Sequence, residues 1–556
     1  MGKTGLFAIA ALCCVCAWAV SAGASAVITT GRLGNVSAPG ENLSFQVTPD
    51  TAVSLPAEWR VVDSRNLVLS SGKLADGREL RLTAAPDWEG RFLRLCIGET
   101  QLPFAILPER TTAAGGDTRF GGWVGFSSPE KMFQSALRIG VSTSYPYWQI
   151  RENNIRFAKK YGFKITNNYS SGPWGCNFAF LKGIPDQARF DDWVKELESY
   201  HRVNKGLVSD VSSLCGEHAM VTDMRMRVPA LLQLHQAYYK TVKSVDPDCR
   251  VYMGMFMRRN DLKEMLAGLS PRQFEFDGVS YDLAGYGVYA IERLLKEDIE
   301  VMTNWGMRRP QWICEVWASS ADEEKKANEL VQLYAMAFGL GVKEIDWHSM
   351  WYSLPECSWL TYRAFKEQAL FRNSNYELTP AAIAHYQLFR RLGHAQPRGE
   401  ISSNFNLAAY QFERDGRYIT ALWTRAFPTF VSLTTSSRKV VLYDYMGDES
   451  VILEPSEGKI SLGLSEQVVF LESDKPVAVE GVEKETMPIY GLDAAKSNAP
   501  PSAVELSGFY GSRPGDQLRV VNPPSGVTSG AYPATALLTR AGKTVGWTRI
   551  VVPVKK

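Results

Sequence analysis

The stretch Gly306-Met307-Arg308-Arg309-Pro310-Gln311-Trp312-Ile313-Cys314-Glu315-Val316-Trp317 decides how the chain is read. Its centre is a short apolar run of strand type. The run ends on a carboxylate, Glu315, framed by Trp312 and Trp317. A second run, Val208-Ser209-Asp210-Val211-Ser212-Ser213-Leu214-Cys215-Gly216-Glu217-His218, also delivers a glutamate at its end. The two lie about three strand–helix units apart in a segment, residues 119–393, where strand patterns alternate with helical ones.

Eight strands are expected in that segment. The first three are Phe120-Gly121-Gly122-Trp123-Val124, Gly140-Val141-Ser142-Thr143-Ser144 and Phe163-Lys164-Ile165-Thr166-Asn167. The fourth, 207–214, leads to Glu217, and the fifth is Arg250-Val251-Tyr252-Met253-Gly254. Phe276-Asp277-Gly278-Val279-Ser280-Tyr281 is the sixth, 311–315 the seventh and Glu344-Ile345-Asp346-Trp347 the eighth. Residues 228–242 and 327–338 carry apolar side chains at i, i+3 and i+4, the helical period. Such alternation implies a parallel sheet, and a segment of about 270 residues suits a (β/α)8 barrel.

Strand C-termini form one rim of such a barrel, where active sites are built. Two carboxylates facing each other across the rim are the machinery of retaining glycoside hydrolysis: one protonates the leaving oxygen, the other attacks the anomeric carbon. Their environments must set their pKa values apart. A single strand-end Glu is more often a salt-bridge or capping partner. Two, on the fourth and seventh strands and among aromatics, are less easily dismissed.

The chain has 556 residues, too many for one core, so two to four domains are expected. Hydrophobic content of 45% and charged content of 22% fit a globular protein. A net charge of +2 gives no reason to expect nucleic acid or an anionic membrane as partner. Residues 1–26 read as an export signal: Lys3, an apolar run over 6–20, and Ala24-Ser25-Ala26 as cleavage site, with cleavage after Ala22 the alternative. Cys13, Cys14 and Cys16 lack the small preceding residues of a lipoprotein anchor. No integral membrane segment is expected after cleavage, and export to the periplasm or beyond is. Of the remaining cysteines, Cys215, Cys249 and Cys314 read as buried fillers, while Cys176 and Cys357 could pair in an oxidising compartment.

Residues 27–110 read as a small β-sandwich, 111–118 as a linker and 119–397 as the barrel. After His394-Ala395-Gln396-Pro397 the helical patterns stop; 398–475 reads as a second sandwich and 476–556 as an additional β-rich region. Trp423 alternates with Ile419 and Ala421 and so points into a core. Residues 400–475 are expected to buttress the barrel, partly through its last helix, 381–392.

The segment from about residue 120 to 396 resembles the clan A glycoside hydrolases, and the following β-domain is similar to that of family 39 and its relatives. The clan carries a G-x-x-x-P-x-W-I-T-E block on strand seven, which 306–315 matches closely. Lys243-Ser244-Val245-Asp246-Pro247 resembles the clan's entry into strand five. The resemblance implies Glu217 as acid/base and Glu315 as nucleophile. Two positions depart from the clan pattern. Gly216 stands where the clan has the Asn that contacts the sugar's 2-hydroxyl, and Asp282 replaces the strand-six H-x-Y element, with Tyr286 four residues on.

Around the pair, Trp347 is the expected platform for the innermost sugar. Trp174, Trp317 and Trp351 are further candidates, with ordinary barrel packing the alternative for each. Tyr286 could hydrogen-bond Glu315. Asp282 and His218 could reach a sugar hydroxyl, His218 equally being a surface or cap residue. Asn167 and Asn168 serve either hydroxyls or a turn. Asp210 is a weaker rival acid, placed near its strand's start. The six His show no metal-ligand spacing, and no Walker or G-x-G-x-x-G loop follows a strand, so no cofactor is expected. The partner implied is a carbohydrate. The departures at 216 and 282 leave a second possibility, a carbohydrate-binding protein on a decayed glycosidase scaffold.

Overall fold

A computed structural model of the chain describes residues 26–49, 57–74, 78–124, 130–146, 152–167, 187–213, 228–268, 275–348, 350–352, 367–372, 375–482, 513–521 and 530–554. Eight parallel strands close into a barrel: β1 Phe120–Gly122, β2 Thr143–Ser144, β3 Lys164–Asn167, β4 Val208–Ser212, β5 Arg250–Phe256, β6 Gly278–Asp282, β7 Gln311–Val316 and β8 Glu344–Trp347. The helices are α1 Glu130–Arg138, α2 Glu152–Tyr161, α3 Gln187–Val203, α4 Val228–Val245, α5 Asp261–Gly268, α6 Val288–Asn304, α7 Glu323–Gly339 and α8 Pro380–Leu392. Local chemistry sets their starts. Asp322 caps α7 by accepting from the Lys325 N–H at 2.9 Å. Thr379 caps α8, with Pro380 at the first helical position, where a missing N–H costs nothing.

Alternation along each strand divides inside from outside. On β1, Phe120 points outward, between Tyr334 and Phe338 of α7 and His385 and Phe389 of α8. Gly121 points inward, where an added Cβ would strike the Asp346 carboxylate and the Thr143 hydroxyl. The interior holds a polar layer of Thr143, Thr166, Tyr252, Glu344 and Asp346, and the Trp312 indole donates to Asp346 Oδ2 at 2.6 Å. Burial raises the Glu344 and Asp346 pKa values well above the carboxylate range, and the Asp210 charge adds to it. Asp210 itself closes the N-terminal end. It takes both forks of Arg250, at 2.6 Å each, and Lys343 at 3.2 Å.

The N-terminal sandwich faces a three-stranded sheet (Ala26–Thr29, Asn42–Pro49, Glu79–Thr83) against a five-stranded one (Val36–Ser37, Thr100–Ile106, Leu93–Ile97, Ala57–Val62, Val68–Leu74). Phe45, Trp88 and Phe104 lie in the core between them. Beyond the barrel, one six-stranded sheet joins Gln396–Glu400, Leu407–Arg414, Arg417–Thr424, Val469–Ser473, Val440–Asp444 and Ser450–Leu453. The opposing sheet joins Ala478–Val482, Thr429–Thr434, Lys459–Leu464, Lys543–Val554, Gly530–Arg540 and Gln517–Val521. The described strands after 475 therefore complete the same sandwich, with Leu537 and Trp547 in its core; this is the additional β-rich region expected at 476–556. The pairing that decides this is parallel, Lys459–Leu464 with Lys543–Val554. Partners so distant in sequence leave no local mark.

The first of these two sheets also packs on the barrel. Tyr410, Phe412, Ile419, Ala421 and Trp423 share one continuous core with the barrel helices. Gly339 at the end of α7 lets the Tyr410 ring approach where a Cβ would collide with it. The last helix contributes as expected: the Arg391 guanidinium lies over the Tyr443 ring at 4.5 Å. Among the described residues no helix is long and apolar enough to cross a membrane.

Candidate active site at the barrel mouth

Glu315 reaches the barrel interior because β7 carries an extra residue. Trp312 points inward: its indole bonds Asp346, and its ring meets the edges of Tyr145 and Tyr252 at 6.0 and 5.3 Å. Strict alternation from Trp312 would send residue 315 outward. The register shows otherwise. Ile313 pairs with Tyr281 and Glu315 with Asp282; on the other side Ile313 pairs with Ile345 and Val316 with Trp347. One residue more on β7 than on either neighbour is a β-bulge, and a bulge re-aims a side chain. Glu315 thus comes in phase with the inward set that includes Ser280 on β6 and Asp346 on β8.

At the mouth, Glu315 has a side chain 11% exposed, and its Oε2 lies 3.8 Å from His348 Nε2. His348 follows β8 and is held by its backbone N–H to the Val316 carbonyl at 3.0 Å. Burial pushes the His348 pKa well below the ordinary value, so the ring is neutral and the contact is no ion pair. Two tryptophans pack on the imidazole: Trp123, tilted, with ring centroids 3.4 Å apart, and Trp317, edge to face, at 4.6 Å. Trp123 in turn stacks on Tyr145 at 5.6 Å, and the Tyr145 hydroxyl faces Met255 Sδ across the mouth at 3.9 Å. The result is one carboxylate in an apolar, aromatic, largely water-shielded setting over a Trp312 floor.

Of the other expected site residues, Trp347 and Tyr286 stand elsewhere. Trp347 is fully buried, and its indole donates to the Gln368 carbonyl at 3.1 Å. It lies in the outward phase of β8, paired with Val316, so it offers no face to a sugar. The Tyr286 hydroxyl donates to the Met257 carbonyl at 3.0 Å, not to Glu315. Asp282 stands opposite Glu315 in register, and its Oδ1 accepts the Ala284 N–H at 3.2 Å, bracing the turn after β6. Trp317 is half-buried against His348. Glu217, His218, Asn168, Trp174, Cys176, Cys215 and Cys357 lie outside the described residues, as does the side chain of Trp351. Cys249 and Cys314 are buried thiols, and burial raises both pKa values well above the ordinary value.

Trp123 and His348 were not singled out by motif. The signal that finds them is position, since each is the first residue past a barrel strand and so sits on the rim.

No protein-family model and no curated protein matches the chain. Among solved structures, it is similar to a GH30 endoxylanase from Clostridium papyrosolvens at 11% identity and TM-score 0.45, covering 64% of this chain and 96% of that one. It is similar to a monomeric beta-xylosidase from Caulobacter crescentus at 12% identity and TM-score 0.41, covering 65% and 97%. A beta-glucuronidase from Faecalibacterium prausnitzii is similar at 13% identity and TM-score 0.38, covering 66% of each chain. Likeness at this level says nothing of what this chain acts on.

Proposed function

We propose that the protein is an exported retaining glycoside hydrolase acting on β-linked carbohydrate, with Glu315 as nucleophile and Glu217 as acid/base. The observation that carries the reading is the β7 bulge, which turns Glu315 into the mouth beside a neutral imidazole and two tryptophan rings. In this reaction Glu315 attacks the anomeric carbon as the acid protonates the leaving oxygen, and the same acid then acts as base toward water. Glu217, which follows β4 in the sequence, takes the acid role by that place and by resemblance to the clan A glycosidases, family 39 among them.

Turnover of a panel of aryl β-glycosides tests this. Glu315→Ala should lose a factor on the order of 10⁴. Glu217→Ala should lose activity and regain it with azide on activated substrates, because its nucleophile is intact. An active wild type whose Glu315→Ala variant keeps near-full turnover ends the assignment. Asp282 favours a second reading, carbohydrate binding without catalysis, since it replaces the clan's strand-six element and spends one oxygen on its own turn. Sugar binding with no turnover across a broad glycan panel would select that reading.

A further inference from the structure

Among the described residues, the large aromatic side chains more than a third exposed are Tyr286, Tyr289, Phe405 and Phe427, at 38, 39, 83 and 38%. All four belong to one seam, where the barrel mouth meets the C-terminal sandwich. The contacts run continuously. Trp317, which packs on His348, sits against Gly285, the neighbour of Tyr286. Tyr289, in the first turn of α6, donates its hydroxyl to the Thr424 carbonyl at 3.5 Å. Thr424 leads to Arg425, whose Nη1 donates to the Phe405 carbonyl at 3.2 Å. Asn406 ties the two loops together: its Oδ1 accepts the Phe427 N–H at 3.2 Å and its Nδ2 donates to the Phe427 carbonyl at 2.8 Å.

We infer that this seam is a platform for a carbohydrate chain that reaches on to Glu315 at the barrel mouth, so the substrate is a polysaccharide or long oligosaccharide. This rests on the glycan-acting reading of the mouth. Exposed apolar side chains gathered in one place mark an interaction site. Three features favour a sugar chain as the occupant. The patch begins at the mouth. Both tyrosine hydroxyls are tied to backbone carbonyls, which fixes where the rings stand while each keeps more than a third of its surface exposed. The seam's central charge is already matched, Arg425 being paired with Glu292 and Glu400, so the surface suits a neutral, ring-shaped ligand better than an acidic chain. Loops fixed by Asn406 and Arg425 present Phe405 and Phe427 with little ordering left to lose on binding.

The test compares full-length wild type with the Phe405→Ala/Phe427→Ala pair. Affinity electrophoresis in native gels containing xylan, mixed-linkage β-glucan or galactomannan reads chain binding, and an aryl β-glycoside reads the catalytic centre separately. The wild type should be retarded by at least one polysaccharide. The pair should bind it about tenfold more weakly or worse, with unchanged aryl-glycoside turnover. If the pair melts lower, Phe405→Ser alone replaces it, since a ring 83% exposed does not carry folding. Equal retardation of wild type and variant overturns the inference, as does no retardation of the wild type by any of the three. A wild-type dimer that the substitutions convert to monomer also overturns it, by making the patch a self-association face. Loss of binding in a protein inactive on every glycoside would uphold the platform while removing the catalytic reading.

Discussion

Replacing Arg425 by alanine tests whether barrel and C-terminal sandwich are one energetic unit. Its side chain is 10% exposed and that of Glu292, on α6, is 8% exposed. Nε and Nη2 reach the two Glu292 oxygens at 3.2 and 2.6 Å, and Nη2 also reaches Glu400 at 2.9 Å. Nη1 donates to the Leu407 carbonyl at 2.8 Å. Burial works to raise the Glu292 pKa, yet the Arg425 guanidinium and its neighbours hold it below the usual value. In Arg425→Ala that carboxylate keeps only Lys296 at 2.8 Å and the Tyr410 hydroxyl at 2.9 Å. Removing one side of a buried pair costs about 3–5 kcal/mol. Lys296, 40% exposed, remains as a partner and moves the expectation to the lower end, about 3 kcal/mol. In a cooperative unit of several hundred residues each kcal/mol displaces the midpoint by about 1–2 °C, so the variant should melt about 3–6 °C lower. Scanning calorimetry reads this. Glu292→Gln combined with Arg425→Met should recover about half of the loss or more, because no unpaired charge is left behind. An Arg425→Ala protein melting within about 1 °C of wild type would rule out this coupling, and so would a double variant whose loss equals the sum of the single losses.

Two further outcomes follow from the packing between units. Asp448 accepts the Ser64 hydroxyl of the N-terminal sandwich, and Arg65 bonds Glu449 at 3.0 Å. Burial, with the Asp444 charge, pushes Asp448 up to about 8. The folded state therefore keeps a proton that the unfolded chain gives up near pH 4. Stability from this group is full below about pH 4 and is lost as pH rises through about 8, by up to about 1.4 kcal/mol per pH unit. Asp448→Asn should match wild type near pH 4 and gain on it steadily up to pH 8; parallel melting curves across that range would sink the assignment. The barrel should also fail alone. A fragment of residues 112–397 exposes helix surface that now packs on Tyr410, Phe412, Ile419 and Trp423, side chains worth about 1.5–3 kcal/mol each when buried. It should aggregate or melt well below the whole chain, and a soluble barrel with an unchanged midpoint would show the sandwich to be an independent module.

Eight strand–helix alternations, the place of Glu315 at the end of the seventh strand, the sandwich character of both flanks and the burial of Trp423 were legible along the chain. Each of these is a local signal, a side-chain period of 2.0 or 3.6 residues that survives in one dimension. The rest came from contacts between distant segments. Counting from Trp312 puts residue 315 on the outer face; only the pairing of β7 with both neighbours shows the added residue that turns it inward. Trp347 read as a sugar platform because it ends a strand, yet strand phase sends it outward to Gln368. Trp123 and His348 meet over the mouth although strands one and eight stand at opposite ends of the barrel sequence. The last strands joined an existing sheet for the same reason. Register and strand partnership are set by contacts between segments far apart in the chain, and a periodicity read along one segment holds no information about its phase against another.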